Sequence, residues 1–296
     1  KRRKGFKRLT FKESFITMTD IIVYQGEPGA FSHLACQMEY PDLTPNPCTS
    51  FASAFNAVRS GDAKLAMIPV ENTVAGRVSD IYHLLPEGGL YIIGELYLPV
   101  HHQLLGISGA TIETIKTARS HPMALGQVRK NLAKMNILPL ADVDTAGAAR
   151  AVAQLKDKSI SAIASSLAAS IYGLDIIEKD IQDESHNTTR FLILASQPLK
   201  ADVVRGPWVT SFVFKVRSVP SALYKALGGF ATNNINITKL ESYMIGGSFQ
   251  AAQFYVDAEG HPEEKGMAHA LEELSFYTES IKILGTYTAH ESRMKL

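Results

Sequence analysis

After Met18 the chain alternates short β-rich runs with windows in which apolar side chains recur at helical spacing, the pattern of a mainly parallel sheet with crossover helices. A strand is predicted over 21–25, after which Gly26 and Gly29 turn the chain into a helix over 30–38. Ser50 reads as the cap of a second helix, with Phe51, Ala54, Phe55 and Val58 at i, i+3, i+4 and i+7 and Gly61 as its stop. Strands follow over 65–69 and 90–98, the first opening into a polar loop over 70–76 and the second broken by Pro99. From about residue 104 the alternation restarts: strands over 117–120, 138–141 and 161–164, and helices over 123–135, 145–155 and 166–172, the last closed by Gly173. Two βα lobes are therefore expected. A further β-rich run over 190–194 precedes a polar segment over 198–207, read as a linker.

Beyond that segment the grammar changes. Strands over 208–216, 237–244, 248–257 and 281–287 interleave with helices starting near Pro220 and Glu263, giving the order β-α-β-β-α-β of a ferredoxin-like unit. Gly246-Gly247 is the hairpin turn between its second and third strands.

Composition narrows the function classes. The 296 residues are 46% hydrophobic and 20% charged, enough chain for about two domains that need no disulfide or structural metal. Seven of the 30 basic residues (Lys1, Arg2, Arg3, Lys4, Lys7, Arg8 and Lys12) precede Met18, which leaves 23 basic against 28 acidic residues in the body. A mildly acidic body argues against a nucleic-acid surface, and residues 1–18 read as a disordered basic extension. No window reaches the ~18 uninterrupted apolar residues of a membrane span, and the head lacks the apolar stretch of a secretory signal. A cytoplasmic location is expected. Cys36 and Cys48 lack the spacing of a redox or zinc motif, and the nine histidines include no His-Glu-x-x-His. Adjacent His101 and His102 on an extended segment would point to opposite faces, a poor arrangement for a metal.

Four polar corners carry candidate chemistry. Gln25-Gly26-Glu27-Pro28-Gly29-Ala30-Phe31-Ser32 leads a strand into a helix start, where free N–H groups can hold an anion, though a plain tight turn has the same pattern. Glu71-Asn72-Thr73 follows the C-terminal end of a strand, where open α/β sheets bind ligands. Glu71 would exchange protons there if burial raised its pKa; otherwise it is a solvated loop acid. In Asn187-Thr188-Thr189-Arg190-Phe191, strand alternation sets Thr189 and Phe191 on one face and Arg190 on the other, to grip a substrate carboxylate or to form a buried ion pair. His121-Pro122 opens the helix bearing Gln127.

Taken together, in this order and followed by Asn236-Ile237-Thr238-Lys239-Leu240-Glu241-Ser242, these motifs resemble prephenate dehydratase with a C-terminal regulatory ACT domain, from about residue 21 to 290. The resemblance implies two α/β lobes similar to a periplasmic solute-binding fold, with the active site in the cleft between them. The catalytic unit would span 19–200, lobe one about 19–103 and 186–200 and lobe two about 104–185, with the ACT domain at 208–290. The implied reaction converts prephenate to phenylpyruvate, water and carbon dioxide with no cofactor and no metal, in phenylalanine biosynthesis. Thr189 would hydrogen-bond the departing oxygen, assisted by Glu71 or an ordered water. The starts of the helices at Ser32 and Ser166 would seat carboxylates, and Asn72, Thr73, Gln127, Asn187 and Arg190 would bind substrate. L-Phenylalanine would bind as effector at Ala222, Leu223, Asn236, Ile237, Thr238, Glu241 and Ser242, in a homodimer or homotetramer paired through ACT domains. The chain departs from the family at Ser221, where glycine is common, at Tyr243-Met244, where Arg-Pro is common, and at Met123, where glutamine is common. Arogenate in place of prephenate, a non-catalytic binder of small dianions, and a regulatory subunit are the alternatives.

Overall fold

The computed structural model describes residues 20–199, 206–217, 219–244 and 252–295. The basic head over 1–18, the Gly246-Gly247 turn and most of the expected linker lie outside the described residues.

The first sheet has the order β2-β1-β3-β11-β5 and is built from β1 (Ile21–Gln25), β2 (Thr44–Cys48), β3 (Leu65–Asn72), β5 (Tyr91–Pro99) and β11 (Thr188–Ala195), with the short β4 (Gly76–Arg77) paired to β3. β11 arrives from the far lobe and slots antiparallel between β3 and β5. β2 is a strand the hydrophobic pattern does not reveal, because Thr-Pro-Asn-Pro-Cys carries two prolines; an edge position tolerates them. One face of this sheet is covered by α1 (Phe31–Glu39) and the other by α2 (Phe51–Ser60) and α3 (Ser79–Glu87). The Ser50–Ser53 capping box and Gly61 at φ +84° bound α2.

The second sheet, order β10-β6-β9-β7-β8, comprises β6 (Gln103–Gly106), β7 (Thr117–Ser120), β8 (Leu138–Ala141), β9 (Ile160–Ala164) and β10 (Asp175–Glu178). The helix expected over 123–135 is two, α4 (Pro122–Gln127) and α5 (Arg129–Lys134), divided at Val128. α6 (Thr145–Leu155) and α7 (Ser166–Tyr172) complete the lobe. The chain crosses between the lobes at about 100–102 and returns at about 181–187.

The remaining elements are β12 (Trp208–Val216), α8 (Ala222–Thr232), β13 (Ile237–Met244), β14 (Ala252–Glu259), α9 (Lys265–Tyr277) and β15 (Thr278–Thr288), a βαββαβ unit with the antiparallel order β13-β14-β12-β15. Its helices cover one face through Phe212, Phe214, Phe230, Val256 and Leu274. The other face merges with the first lobe: Val209, Val213, Tyr255, Leu284 and Tyr287 share one core with Phe55, Ile68, Ile92 and Leu192. The approach is close enough that a Cβ on Gly285 would lie 2.0 Å from the carbonyl oxygen of Ile92.

Charges are buried in this seam. Arg190 is 2% exposed and lies 2.8 Å from Glu95, 2.7 Å from Asp257, 3.0 Å from the hydroxyl of Tyr287 and 3.0 Å from Glu71. Arg293 reaches the same two buried carboxylates, at 2.6 Å from Glu95 and 3.0 Å from Asp257. Ser211 and Tyr255 donate to the other oxygen of Asp257 at 2.5 and 2.7 Å. Burial by itself would raise the Asp257 carboxyl, but Arg190 and Arg293, aided by those two hydroxyls, hold it at about 2.

Asp257→Asn leaves two buried guanidiniums short of a carboxylate and is expected to cost about 3–5 kcal/mol in urea denaturation. Because folding depresses this pKa, the contribution is fully present above the ordinary value of 3.8 and is lost as pH falls through about 2. Wild type should therefore lose stability relative to the variant across that acid window.

Candidate active site

Strand register decides which polar side chains meet. Thr189 lies opposite Asn72 of β3, and Arg190 lies opposite Glu71, so the two pairs occupy opposite faces of the sheet. On the α1 face, Asn72 Nδ2 donates to Thr189 Oγ1 at 2.9 Å and to Asn187 Oδ1 at 2.8 Å. Asn187 Nδ2 donates to Gln127 Oε1 at 2.9 Å, and Nε2 of His102 stands 2.7 Å from the same oxygen. Thr189 and Asn72 belong to the first lobe, Gln127 to the second, and Asn187 and His102 to the two crossings, so this hydrogen-bonded chain spans the junction of the lobes.

The polarity of the chain is fixed by the backbone. Asn72 Oδ1 accepts from the N–H groups of Val74 and Ala75 at 2.9 and 2.8 Å, which forces its NH₂ group toward Asn187 and Thr189. Thr189 Oγ1 is thereby an acceptor from the protein, and its own hydrogen meets no acceptor among the described residues. Gln127, whose Oε1 accepts, likewise keeps its Nε2 without a recorded partner among the described residues.

Several expected site residues are placed elsewhere. Glu71 is not beside Thr189: it pairs with Arg190 and with Lys239 of β13, on the opposite face. Burial would raise its carboxyl, but Arg190 and Lys239 outweigh that and lower it, so it stays ionised and is no proton donor near neutrality. Arg190 grips protein carboxylates instead of facing the junction with Thr189. The hydroxyl of Thr73 donates to the carbonyl of His186 at 2.6 Å and accepts from the N–H of Thr188 at 2.9 Å, pinning β3 to β11. Ser166 is exposed, and the cap of α7 is the buried Ser165, which accepts from Ala168 N–H. Ser32 is buried in the first turn of α1, whose N-cap, Ala30, offers no side-chain bond. His102 belongs to the cluster although sequence reasoning set it aside; its signal was a histidine pair at the lobe boundary, of which His101 turns outward to Asp180 at 3.1 Å. Among the described residues, no group of three or more His, Cys, Asp or Glu is placed to hold a metal, and no helix is long and apolar enough to cross a membrane.

The model of the family described as prephenate dehydratase matches residues 22–199. The chain belongs to the prephenate dehydratase family. Among its relatives, the bifunctional N-acyl-homoserine lactone acylase/prephenate dehydratase of Komagataeibacter europaeus is 47% identical over 275 residues, covering 93% of this chain and 98% of that one. Arogenate dehydratase 2 of Petunia hybrida is 38% identical, over 90% of this chain and 71% of the relative. The crystal structure of prephenate dehydratase in complex with L-Phe from Arthrobacter aurescens superposes with a TM-score of 0.83 at 29% identity, over 91% of this chain and 90% of that one.

In this member of the dehydratase family, the segments expected to bind an effector divide. Asn236 and Thr238 line a cavity of about 500 Å³ between the first lobe and the βαββαβ unit, together with Tyr97, Lys239, Glu259 and Arg293. Glu241 and the carbonyl of Ser242 bond Arg77 of β4 at 3.0 and 3.2 Å. Ala222 is buried, and Leu223 and Ile237 pack on the helical face. Tyr243, at the position of a family arginine, lies edge-on to His83 of α3 with centroids 5.3 Å apart.

The lobes are drawn together by Ser165 Oγ donating to the Gly29 carbonyl at 2.6 Å, by Tyr172 OH donating to the Pro28 carbonyl at 2.7 Å, and by the Arg150–Glu27 pair at 2.9 Å. Gly29 sits at φ +92°, and a Cβ on it would come within 2.8 Å of the Ala168 Cα. Gly29→Ala should hold the lobes apart, giving a larger radius of gyration than wild type in solution scattering at unchanged secondary-structure content.

Proposed function

We propose that the chain catalyses the decarboxylating dehydration of prephenate to phenylpyruvate, with Thr189 as the residue that meets the departing oxygen. The single observation carrying this reading is that Asn72 donates to Thr189 Oγ1, which leaves the threonine hydrogen available to a ligand. In the reaction the ring C–CO₂⁻ bond breaks, its electron pair enters the ring, and the C4–O bond breaks with its pair leaving on oxygen. A dianion thus yields carbon dioxide, a monoanion and hydroxide. Aromatisation supplies the driving force, so the protein has only to orient the substrate and stabilise the leaving hydroxide. The hydrogen bond from Thr189 does the latter, and the proton that completes water comes from solvent, since Glu71 is ion-paired on the far face. Gln127 Nε2 and the open start of α1 near Ser32 are the donors available to the carboxylates. Arogenate differs from prephenate only in its side arm, and the curated relatives named for arogenate keep it as the competing substrate.

The βαββαβ unit over 208–290 is read as an ACT domain that binds L-phenylalanine and pairs the chain into a homodimer or homotetramer. The L-Phe complex of the Arthrobacter aurescens relative supports the effector. The exposed Leu240 and Met244 of edge strand β13 support the pairing. A second activity, release of the acyl group from N-acyl-homoserine lactones, is favoured by the 47% identical bifunctional relative. Against it, no recorded hydrogen bond among the described residues joins a serine, threonine or cysteine side chain to a histidine ring.

Prephenate and arogenate supplied together, with phenylpyruvate and phenylalanine followed separately, identify the substrate. An N-acyl-homoserine lactone added to the same preparation tests the acylase. Thr189→Ala should lower kcat by about 10²–10⁴ with KM changed far less, and Thr189→Ser should restore much of it. Undiminished turnover in Thr189→Ala would remove the assignment. Added L-phenylalanine should change the rate, and Asn236→Ala or Ser242→Ala should blunt that response; a wild-type enzyme indifferent to it carries no such regulation.

A further inference from the structure

The same hydrogen-bond polarity extends beyond the residues that would touch substrate. Asn72 is oriented by two backbone amides, so Asn187 must present its Oδ1 to Asn72 and its Nδ2 to Gln127, and Gln127 must in turn present Oε1 to Asn187. His102 therefore faces an acceptor, and its Nε2 must carry hydrogen. The other ring nitrogen, Nδ1, is buried and has no hydrogen-bond partner among the described residues, in a residue 2% exposed. A hydrogen there would be a buried donor with nothing to bond, which excludes both the other tautomer and the imidazolium. Burial lowers the pKa of this imidazole, and the bond to Gln127 opposes the shift only in part.

His102 is also held from three sides. Its N–H donates to Gln182 Oε1 at 3.0 Å and its carbonyl accepts from Ile181 N–H at 2.9 Å, both on the returning crossing. Its ring stands edge-on to Phe31 of α1, with centroids 5.4 Å apart, while Nε2 reaches α4 of the second lobe. The residue thus meets the first and second lobes through its ring and the returning crossing through its backbone.

We propose that His102 is a positioning residue: a neutral imidazole, protonated on Nε2, that holds the Gln127 amide in one orientation and so fixes the donor that the second lobe offers beside Thr189 when the lobes are together. The proposal rests on the assignment of Thr189 above.

Three variants and one spectrum test it. His102→Leu removes the donor, and His102→Gln returns an N–H on a side chain of comparable reach. With prephenate, His102→Leu should lose about 10- to 100-fold in kcat while KM stays within about threefold, and His102→Gln should recover most of the loss. Thermal melts of both variants separate this from unfolding. A long-range ¹⁵N–¹H spectrum of the wild-type imidazoles should show His102 protonated on Nε2 and bare on Nδ1. The inverse tautomer, wild-type kcat in His102→Leu, or equal loss in folded Leu and Gln variants would overturn the positioning role. Thr189→Ala measured alongside keeps the two assignments apart: full activity there removes the Thr189 reading, whereas loss there with an unaffected His102→Leu removes only the role of His102.

Discussion

Everything between the first lobe and the βαββαβ unit is organised by one buried guanidinium. Arg190 stands among Glu95, Asp257, Glu71 and Tyr287, with Arg293 closing the far side, and neither Glu95 nor Asp257 can be removed without leaving buried cations short of a counter-charge. Such a cluster is weak evidence of net stability, because desolvating the charges offsets most of their attraction. Its consequence is geometric. The carboxylates come from β5 and β14 and the cation from β11, so the two sheets meet in one register, and the surrounding apolar core of Val209, Val213, Leu284 and Tyr287 can form only in that register.

Strand alternation then ties this seam to the proposed chemistry. Adjacent residues of β11 face opposite sides, so holding Arg190 from the βαββαβ unit also holds the backbone that presents Thr189 to the other side. A displacement of Asp257 or Tyr287 acts on the cation first and reaches the threonine through a single peptide unit. That is a short mechanical route between the βαββαβ unit and the threonine of the proposed reaction, and it needs no extended pathway of coupled residues. The amide chain works from the opposite end. Its direction is imposed by the N–H groups of Val74 and Ala75, and it leaves the threonine with its hydrogen facing outward.

The parts of this arrangement written locally were legible from sequence. The capped helix at Ser50, the glycine turn before α1, the alternation in the run after Asn187 and the βαββαβ order all follow from short-range rules. What the sequence hid depends on partners far away in the chain. Whether Arg190 meets a substrate or a protein carboxylate is decided by Glu95 and Asp257, 95 and 67 positions distant, which no local pattern marks. Glu71 beside Asn72 looked like a proton donor because neighbours in sequence were taken as neighbours in the site, whereas the pleat sends them apart. The helix start read at Ser166 is capped by Ser165, a single residue of register that no local pattern fixes. β2 was missed because its prolines are acceptable only at an edge, and edge status is a property of the whole sheet. For His102 the adjacent pair with His101 was the only mark in the sequence, and a buried imidazole shows its role only through the amide it faces.

The seam also constrains which parts of the molecule are free to move. The first lobe and the βαββαβ unit share a core and a charge cluster, whereas the second lobe meets the first through two crossings and a few hydrogen bonds around Gly29. Separating the first pair exposes several buried charges; opening the second breaks the buried Ser165–Gly29 bond, the half-buried Tyr172–Pro28 bond and the exposed Arg150–Glu27 pair, whose groups water then satisfies at smaller net cost. The cheaper motion is therefore rotation of the second lobe about the segment that contains His102 and Asn187. That motion carries Gln127 away from Asn187 and breaks the amide chain at its one inter-lobe link, while the Asn72–Thr189 bond, made within one sheet, survives. An open molecule thus keeps the Asn72–Thr189 bond but separates it from Gln127, so the donors of the proposed site come together only when the lobes do.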